Sequence, residues 1–444
     1  MSEPTRPNST TAATTSTTVD VIAPPAAPRI EPAIVVILAG VCAAVHVGKL
    51  PPAIPALQAA LGLTLVQAGF LLSMVQLAGM AAGVAFGALA DGLTPRRSML
   101  IGLTLLAVAS AAGAFADGVA ALMLLRACEG FGFLLVVLSA PALVRQLVPP
   151  ERLNLMLGLW GAYMPLATAL ALLGGPWVIG ALGWRAWWGL AALLSAAMAL
   201  WLARAVPPPV AATLTIDMGI MPAPLPSLLA RLSRTLSAPG PWLLALAFAT
   251  YSGQWLAVIG FLPTVYAQAG TALAAGGALT AAAAAANMVG NIGAGRLLHK
   301  GVSPLRLLAT GYVAMGLCAL LAFVALPGEP GGTMQPMQPM QPLLPGPLRF
   351  VALLLFSGVG GLIPATLFTL AVRAAPGEGT LSATVGWLQQ WSALGTFVGP
   401  PLVAWVAARA GGWHFTWVVT GCATLLGLGL SAAIARVVVR PAAR

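Results

Sequence analysis

The sequence predicts an all-α polytopic membrane protein, with about twelve transmembrane helices in two six-helix pseudo-repeats. Three observations carry that prediction: a composition too apolar for a water-facing surface, uncharged runs long enough to cross a bilayer, and an internal repeat. Of 444 residues, 59% are hydrophobic and only 7% charged, and the mean hydropathy is +0.94. Soluble domains carry roughly a quarter charged residues, so this chain cannot clothe itself in water. The formal charge of +11 does not mark a nucleic-acid binder. Its basic residues stand in ones and twos between apolar runs, as topology signals do. Cys42, Cys128, Cys318 and Cys422 have no paired spacing and read as small core residues, with no metal or disulfide framework.

A helix crossing ~30 Å of hydrocarbon needs about 20 apolar residues. No charge occurs between Lys49 and Asp91, or between Arg234 and Arg296. Spans are predicted at 33–52, 65–89, 98–116, 119–144, 154–178 and 186–205, then at 241–266, 273–297, 305–326, 348–372, 380–407 and 414–436. These runs exceed strand length and lack the polar–apolar alternation of outer-membrane barrels. The resulting organisation is a disordered tail (1–30), a six-helix bundle (31–206), a linker (207–239), a second bundle (240–437) and a short tail (438–444). The linker opens on Pro207-Pro208-Pro209, and a Met-Gln-Pro repeat makes 328–347 a low-complexity external loop. Placing both termini in the cytoplasm puts most arginines and lysines inside and only Arg185, Arg349 and Arg409 clearly outside. A multi-pass inner (plasma) membrane protein is therefore expected.

The halves match at a near-constant offset of about 208 residues. Pro55, taken to end the first span, corresponds to Pro263 at the end of the seventh. Gly92-Leu93-Thr94-Pro95-Arg96-Arg97 returns as Gly301-Val302-Ser303-Pro304-Leu305-Arg306, and Gly175-Pro176 matches Gly399-Pro400 at about 224. Parallel six-helix repeats place a binding site between them near mid-membrane, with one half rocking on the other.

Gly87-Ala88-Leu89-Ala90-Asp91-Gly92-Leu93-Thr94-Pro95-Arg96-Arg97 resembles the signature loop between helices two and three of the major facilitator superfamily. Gly92 and Thr94 depart from the pattern where a basic residue and a glycine are usual. Arg126-Ala127-Cys128-Glu129-Gly130-Phe131-Gly132 looks like the family's second motif, and Gly395-Thr396-Phe397-Val398-Gly399-Pro400 is similar to a third, here on span eleven. Within the family, Val47-Gly48-Lys49-Leu50-Pro51-Pro52 and Trp160-Gly161-Ala162-Tyr163-Met164-Pro165 look like the cyanate-permease-like branch. The resemblance implies alternating-access transport and gating by the Asp91, Arg96 and Arg97 loop, an ion-pair latch between the halves.

The intramembrane polar residues supply the candidate substrate-binding set, because charge in hydrocarbon is costly and mostly functional. Arg126 and Glu129 lie at i, i+3 and can neutralise each other, either as a structural ion pair or in a cavity. Glu129 is also the proton-carrier candidate. His46 and Lys49 repeat that spacing on the first span, where Lys49 either meets an anion or snorkels to the headgroups. Tyr251, Gln254 and Trp255 are placed on one face of span seven, and Asn287 with Asn291 on span eight. Tyr163 and Gln390 are expected to contribute from spans five and eleven. Packing glue is the plainer role for each of these.

These residues lead to a transporter of a small solute, an organic or inorganic anion, with proton-driven efflux of a hydrophobic compound as the alternative. The expected partners are that solute, a proton if transport is coupled, and the bilayer; a monomer is expected, with no cofactor, metal or nucleic acid. Enzyme chemistry lacks its groups: neither H-E-x-x-H nor an intramembrane carboxylate pair occurs.

Overall fold

Small residues along the first helix decide how this chain packs. Helix α1 (Pro32–Gly48) buries Ala33, Ala39, Ala43, Ala44 and Gly48. A Cβ on Gly48 would lie 2.9 Å from the Thr168 Cα, so a second helix backbone runs directly against it. The computed structural model describes residues 31–81, 94–208, 228–326, 341–377 and 380–439. The expected N-terminal tail, Asp91, and most of the linker and the Met-Gln-Pro loop lie outside those residues.

In the first half α1 is followed by a 3-10 turn (Pro51–Ala53), α2 (Ile54–Leu61), α3 (Leu65–Met74), α4 (Pro95–Gly113), α5 (Val119–Leu147), α6 (Pro150–Trp160) and α7 (Tyr163–Ala205). Then come α8 (Leu228–Ser237), α9 (Pro239–Gln268), α10 (Leu273–His299), α11 (Pro304–Phe323), α12 (Gly346–Gly360), α13 (Leu362–Ala374), α14 (Leu381–Ala410) and α15 (Thr416–Ile434). Nine helical segments among the described residues are long and apolar enough to cross a membrane. One of them, the 43-residue Tyr163–Ala205, is broken at Gly183, whose φ of 84° only glycine adopts freely, so it supplies two crossings. The 19-residue α4 and the shorter apolar α3 stand beside these among the described residues, in keeping with an all-α polytopic membrane fold.

Several boundaries differ from expectation for local reasons. Pro55 does not end the first helix; it sits in the first turn of α2, where its missing N–H costs nothing. Pro263 lies inside α9, which runs on to Gln268. The linker is not irregular throughout, since Leu228–Ser237 within it forms α8. Two-residue strands, β1 (Ala325–Leu326) just before the expected 328–347 loop and β2 (Gln341–Pro342) within it, pair antiparallel.

Each half has its own apolar core. The first gathers residues such as Val36, Leu71, Leu103, Val136 and Trp188, and the second Leu244, Ala284, Tyr312 and Phe356. The cores interlock: Phe261 and Ala404 of the second half join the first core, and Leu172 joins the second. Around the outside, Phe115, Trp177, Leu182 and Leu425 are each more than 70% exposed. That apolar girdle is what lipid would cover.

Two inter-half contacts are copies of one another. Helix α3 packs on α14, and α10 packs on α7. In the first, a Cβ on Gly69 would lie 2.8 Å from the Pro401 Cα and 3.0 Å from the Pro400 oxygen; in the second, a Cβ on Gly277 would lie 2.5 Å from the Pro176 Cγ. Gly69 and Gly277 stand apart by the first repeat offset, and Pro176 and Pro400 by the second. The repeat thus builds a glycine-against-proline seam on both sides of the interface.

Candidate functional site

Two polar assemblies and one cavity occupy the centre of the bundle. The first assembly lies wholly within the first half. Helix α5 presents Arg126 and Glu129 one turn apart, and the Arg126 Nη1 donates to Glu129 Oε2 at 2.7 Å and to the His46 carbonyl at 2.5 Å. At the end of α1, Lys49 Nζ donates to Glu129 Oε1 at 2.5 Å and to Ser110 Oγ at 2.7 Å. It also lies 3.3 Å from His46 Nδ1 and 4.7 Å from the centre of the Trp188 ring. His46 Nε2 is 2.7 Å from Ser195 Oγ, while Trp187 Nε1 donates to the Lys49 carbonyl at 2.9 Å.

His46, Lys49, Arg126 and Glu129 are each no more than 1% exposed. The alternative of Lys49 snorkelling to the headgroups is corrected: its ammonium turns inward because a carboxylate, a hydroxyl and an aromatic face offer it a complete environment there. The i, i+3 pair expected of Arg126 and Glu129 is formed. Sequence reasoning missed Ser110, Ser195, Trp187 and Trp188, since hydroxyls and indoles in apolar helices carry no signal of a charged neighbour. The Arg126 Nη2 is buried and has no hydrogen-bond partner among the described residues.

The second assembly belongs to the second half and holds no charge. Asn287 Nδ2 donates to Tyr251 Oη and to the Ser357 carbonyl, both at 2.9 Å. Trp255 Nε1 donates to Ser357 Oγ at 3.0 Å, and Asn291 Nδ2 to Asn287 Oδ1 at 2.9 Å. The expectation of one shared face for Tyr251, Gln254 and Trp255 needs correction. Tyr251 and Trp255 turn to α10 and α12, whereas Gln254 Oε1 accepts from Thr424 Oγ1 of α15 at 3.4 Å. Three residues at i, i+3 and i+4 span enough arc to face two neighbours.

Between the halves is a cavity of about 50 Å³. Val47, Gly48, Pro51, Gln76, Met164 and Thr168 line it from the first half, and Trp255, Leu256, Ile259, Gly260 and Thr396 from the second. No charged side chain is among them. Drug-sized ligands occupy roughly 300–1,000 Å³, so the halves are closed down on this space. A larger groove of about 630 Å³, lined by Phe115, Asp117 and Arg185, lies within the first half and has no residue of the second.

The remaining candidates fall around this centre. Tyr163 stacks on Trp160 with ring centres 4.3 Å apart. Gln390 reaches across the interface, donating from Nε2 to the Met80 carbonyl at 2.9 Å. Gln390→Ala is expected to weaken inter-half closure by about 1 kcal/mol, the net worth of one hydrogen bond, read as a shift in the inter-half distance distribution. Arg96 donates to the carbonyls of Val206 (2.7 Å) and Ala203 (2.8 Å), capping α7 within its own half. Arg97 is exposed. These contacts of Arg96 do not cross between the halves, and its expected partner Asp91 lies outside the described residues.

Comparisons with known proteins agree with this architecture. A family model described as Major Facilitator Superfamily matches residues 36–335. Among solved structures, a bacterial homologue of the human lysosomal transporter Spinster, inward-facing and occupied, superposes with a TM-score of 0.73 at 13% identity, covering 92% of this chain and 97% of that one. A D-xylose–proton symporter gives 0.65 at 14% identity, covering 91% and 97%. A tetracenomycin C resistance and export protein from Streptomyces glaucescens is 31% identical over 157 residues. The match spans 34% of this chain and only 29% of that relative.

Proposed function

The chain belongs to the Major Facilitator Superfamily and is a membrane transporter, and from that premise we propose that its cargo is an apolar or amphipathic organic compound, exported in exchange for protons. The observation that carries this reading is the separation of charge from cavity. The space between the halves is walled by Val47, Met164, Trp255, Ile259 and a few hydroxyl or amide groups, whereas every charge near it is sealed inside the first half. A site without charge suits an uncharged cargo, because an ion entering it would lose its hydration without gaining a partner. Tyr251, Trp255 and Asn287 then supply the aromatic and hydrogen-bonding contacts. The likeness to an exporter of tetracenomycin C supports the direction.

A small anion is the second reading, favoured by the unpaired Nη2 of Arg126 and by two fixed cations set against one carboxylate. It requires Arg126 and Lys49 to become accessible in another conformation. In either case the inner membrane is proposed, with both termini cytoplasmic, since Arg96, Arg204, Arg296, Lys300 and Arg373 sit at helix ends on the linker side.

Transport by proteoliposomes of the full chain separates the two. The expected result is uptake of tetracenomycin C or another uncharged polycyclic compound, driven by a pH gradient and unaffected by millimolar cyanate, nitrate or acetate. Uptake of one of those anions, with no transport of the aromatic panel, would overturn the proposal in favour of the second reading.

A further inference from the structure

The buried cluster of the first half has an unequal charge count, and its hydrogen bonds admit two protonation states. We infer that Lys49, and not Glu129, gains and loses the coupled proton, with His46 relaying it to Ser195. This rests on the proton-coupled reading above and names the group that performs the coupling.

The groups facing Lys49 are His46 on α1, Ser110 on α4, Glu129 with its partner Arg126 on α5, and Trp188 on α7; Ser195 and Cys42 lie beyond His46. Glu129 has both oxygens engaged by cations, Oε1 by Lys49 and Oε2 by Arg126. Protonating it would leave two cations around a neutral acid, raising the net charge of an enclosed site from one to two. Removing a proton from Lys49 instead lowers that charge from one to zero. In a low-dielectric interior the second change is the accessible one.

Hydrogen bonding agrees. An ammonium has three donors, and three acceptors surround Lys49 Nζ: Glu129 Oε1, Ser110 Oγ and His46 Nδ1. Ser110 is free to accept because its own hydroxyl donates to the Trp188 carbonyl at 2.9 Å. In this state His46 carries its proton on Nε2 and donates to Ser195 Oγ. As a neutral amine, Lys49 keeps two donors, for Glu129 and Ser110, and its lone pair accepts from a proton now on His46 Nδ1. His46 Nε2 then accepts from Ser195. No buried polar group of the relay is orphaned in either state.

The transfer between these states balances. A proton moves from Lys49 Nζ to His46 Nδ1 and the proton on Nε2 moves to Ser195 Oγ; because Ser195 is fully buried in this structure, its original hydroxyl proton passes to water only in the access state that hydrates it. One proton leaves, the imidazole ends neutral with its tautomer reversed, and Glu129 remains ionised throughout. Reloading runs the same steps backwards.

Spin labels on the two halves of the full chain in lipid nanodiscs test this by electron–electron distance measurement across pH. The expected result is that wild type redistributes between the two access states as pH changes. Lys49→Arg keeps the cation and its carboxylate partner but does not release its proton, so its distribution should be the same at every pH. Lys49→Gln, locked without the charge, should be equally insensitive, which guards against a fault peculiar to Arg. In proteoliposomes both variants should lose gradient-driven tetracenomycin C uptake. A Lys49→Arg protein that redistributes with pH as wild type does, or a wild type that does not redistribute, would overturn the inference. If wild type redistributes but carries no tetracenomycin C, the cargo reading fails while the assignment of Lys49 stands.

Discussion

Glu129→Gln destabilises the folded protein by about 3–5 kcal/mol, the cost of breaking a buried ion pair from one side. The same cluster loses much less on Lys49→Met. The difference comes from the charge that remains. Without the Glu129 carboxylate, Lys49 and Arg126 face each other across an enclosed space, each no more than 1% exposed. Without Lys49, a one-to-one pair of Arg126 and Glu129 survives at 2.7 Å, and the lost ammonium leaves Glu129 Oε1, Ser110 and His46 to re-pair. Thermal unfolding of detergent-solubilised variants measures both, and Lys49→Met combined with Glu129→Gln should recover part of the single Glu129→Gln loss because only one cation is then unpaired. Equal losses for the two single variants would mean that the cluster is not organised around the carboxylate.

Much of this was legible in the chain itself. Uncharged runs longer than a bilayer is thick leave helix as the only economical backbone, and spans such as 119–144, 241–266, 273–297 and 305–326 needed only small boundary changes. The misjudged positions share a cause. Prolines such as Pro55 and Pro263 were read as stops, yet a proline in a first turn or inside a packed membrane helix is tolerated when neighbours satisfy the freed carbonyl. At the centre, Arg126 and Glu129 were legible as a pair because their spacing lies within one helix. The Lys49–Glu129 contact was not, since it joins residues eighty positions apart and depends on how α1 lies on α5. The sorting of polar residues into a charged half and a neutral half was equally hidden. Sequence periodicity tells which residues share a helix face, but not whether that face meets its own bundle or the opposite one.

The seam between the halves gives the second large effect. Gly69→Ala and Gly277→Ala should each shift the equilibrium toward the conformation in which this end of the interface is open. The added methyl of Gly69→Ala would lie 2.8 Å from the Pro401 Cα, and that of Gly277→Ala 2.5 Å from the Pro176 Cγ and 2.6 Å from the Leu172 oxygen. Most of those atoms are backbone or a rigid ring, so they cannot rotate aside, and overpacking of this kind costs roughly 1–3 kcal/mol. Opening this end relieves the clash, so the cost falls on the closed state alone. The ratio of states then moves by roughly ten- to a hundredfold, at about 1.4 kcal/mol per factor of ten. Gly174→Ala is the control. It lies on the same helix as Pro176, a Cβ there meets nothing within 4 Å, and it should leave the distribution unchanged. Distances between labels flanking the seam, one on each half, report the shift directly. Because Gly69 and Gly277 occupy equivalent places in the repeat, either substitution should open the same end, and the pair together should open it further. A shift from one glycine and none from the other would mean that the two seams, though built alike, do not carry the closure equally.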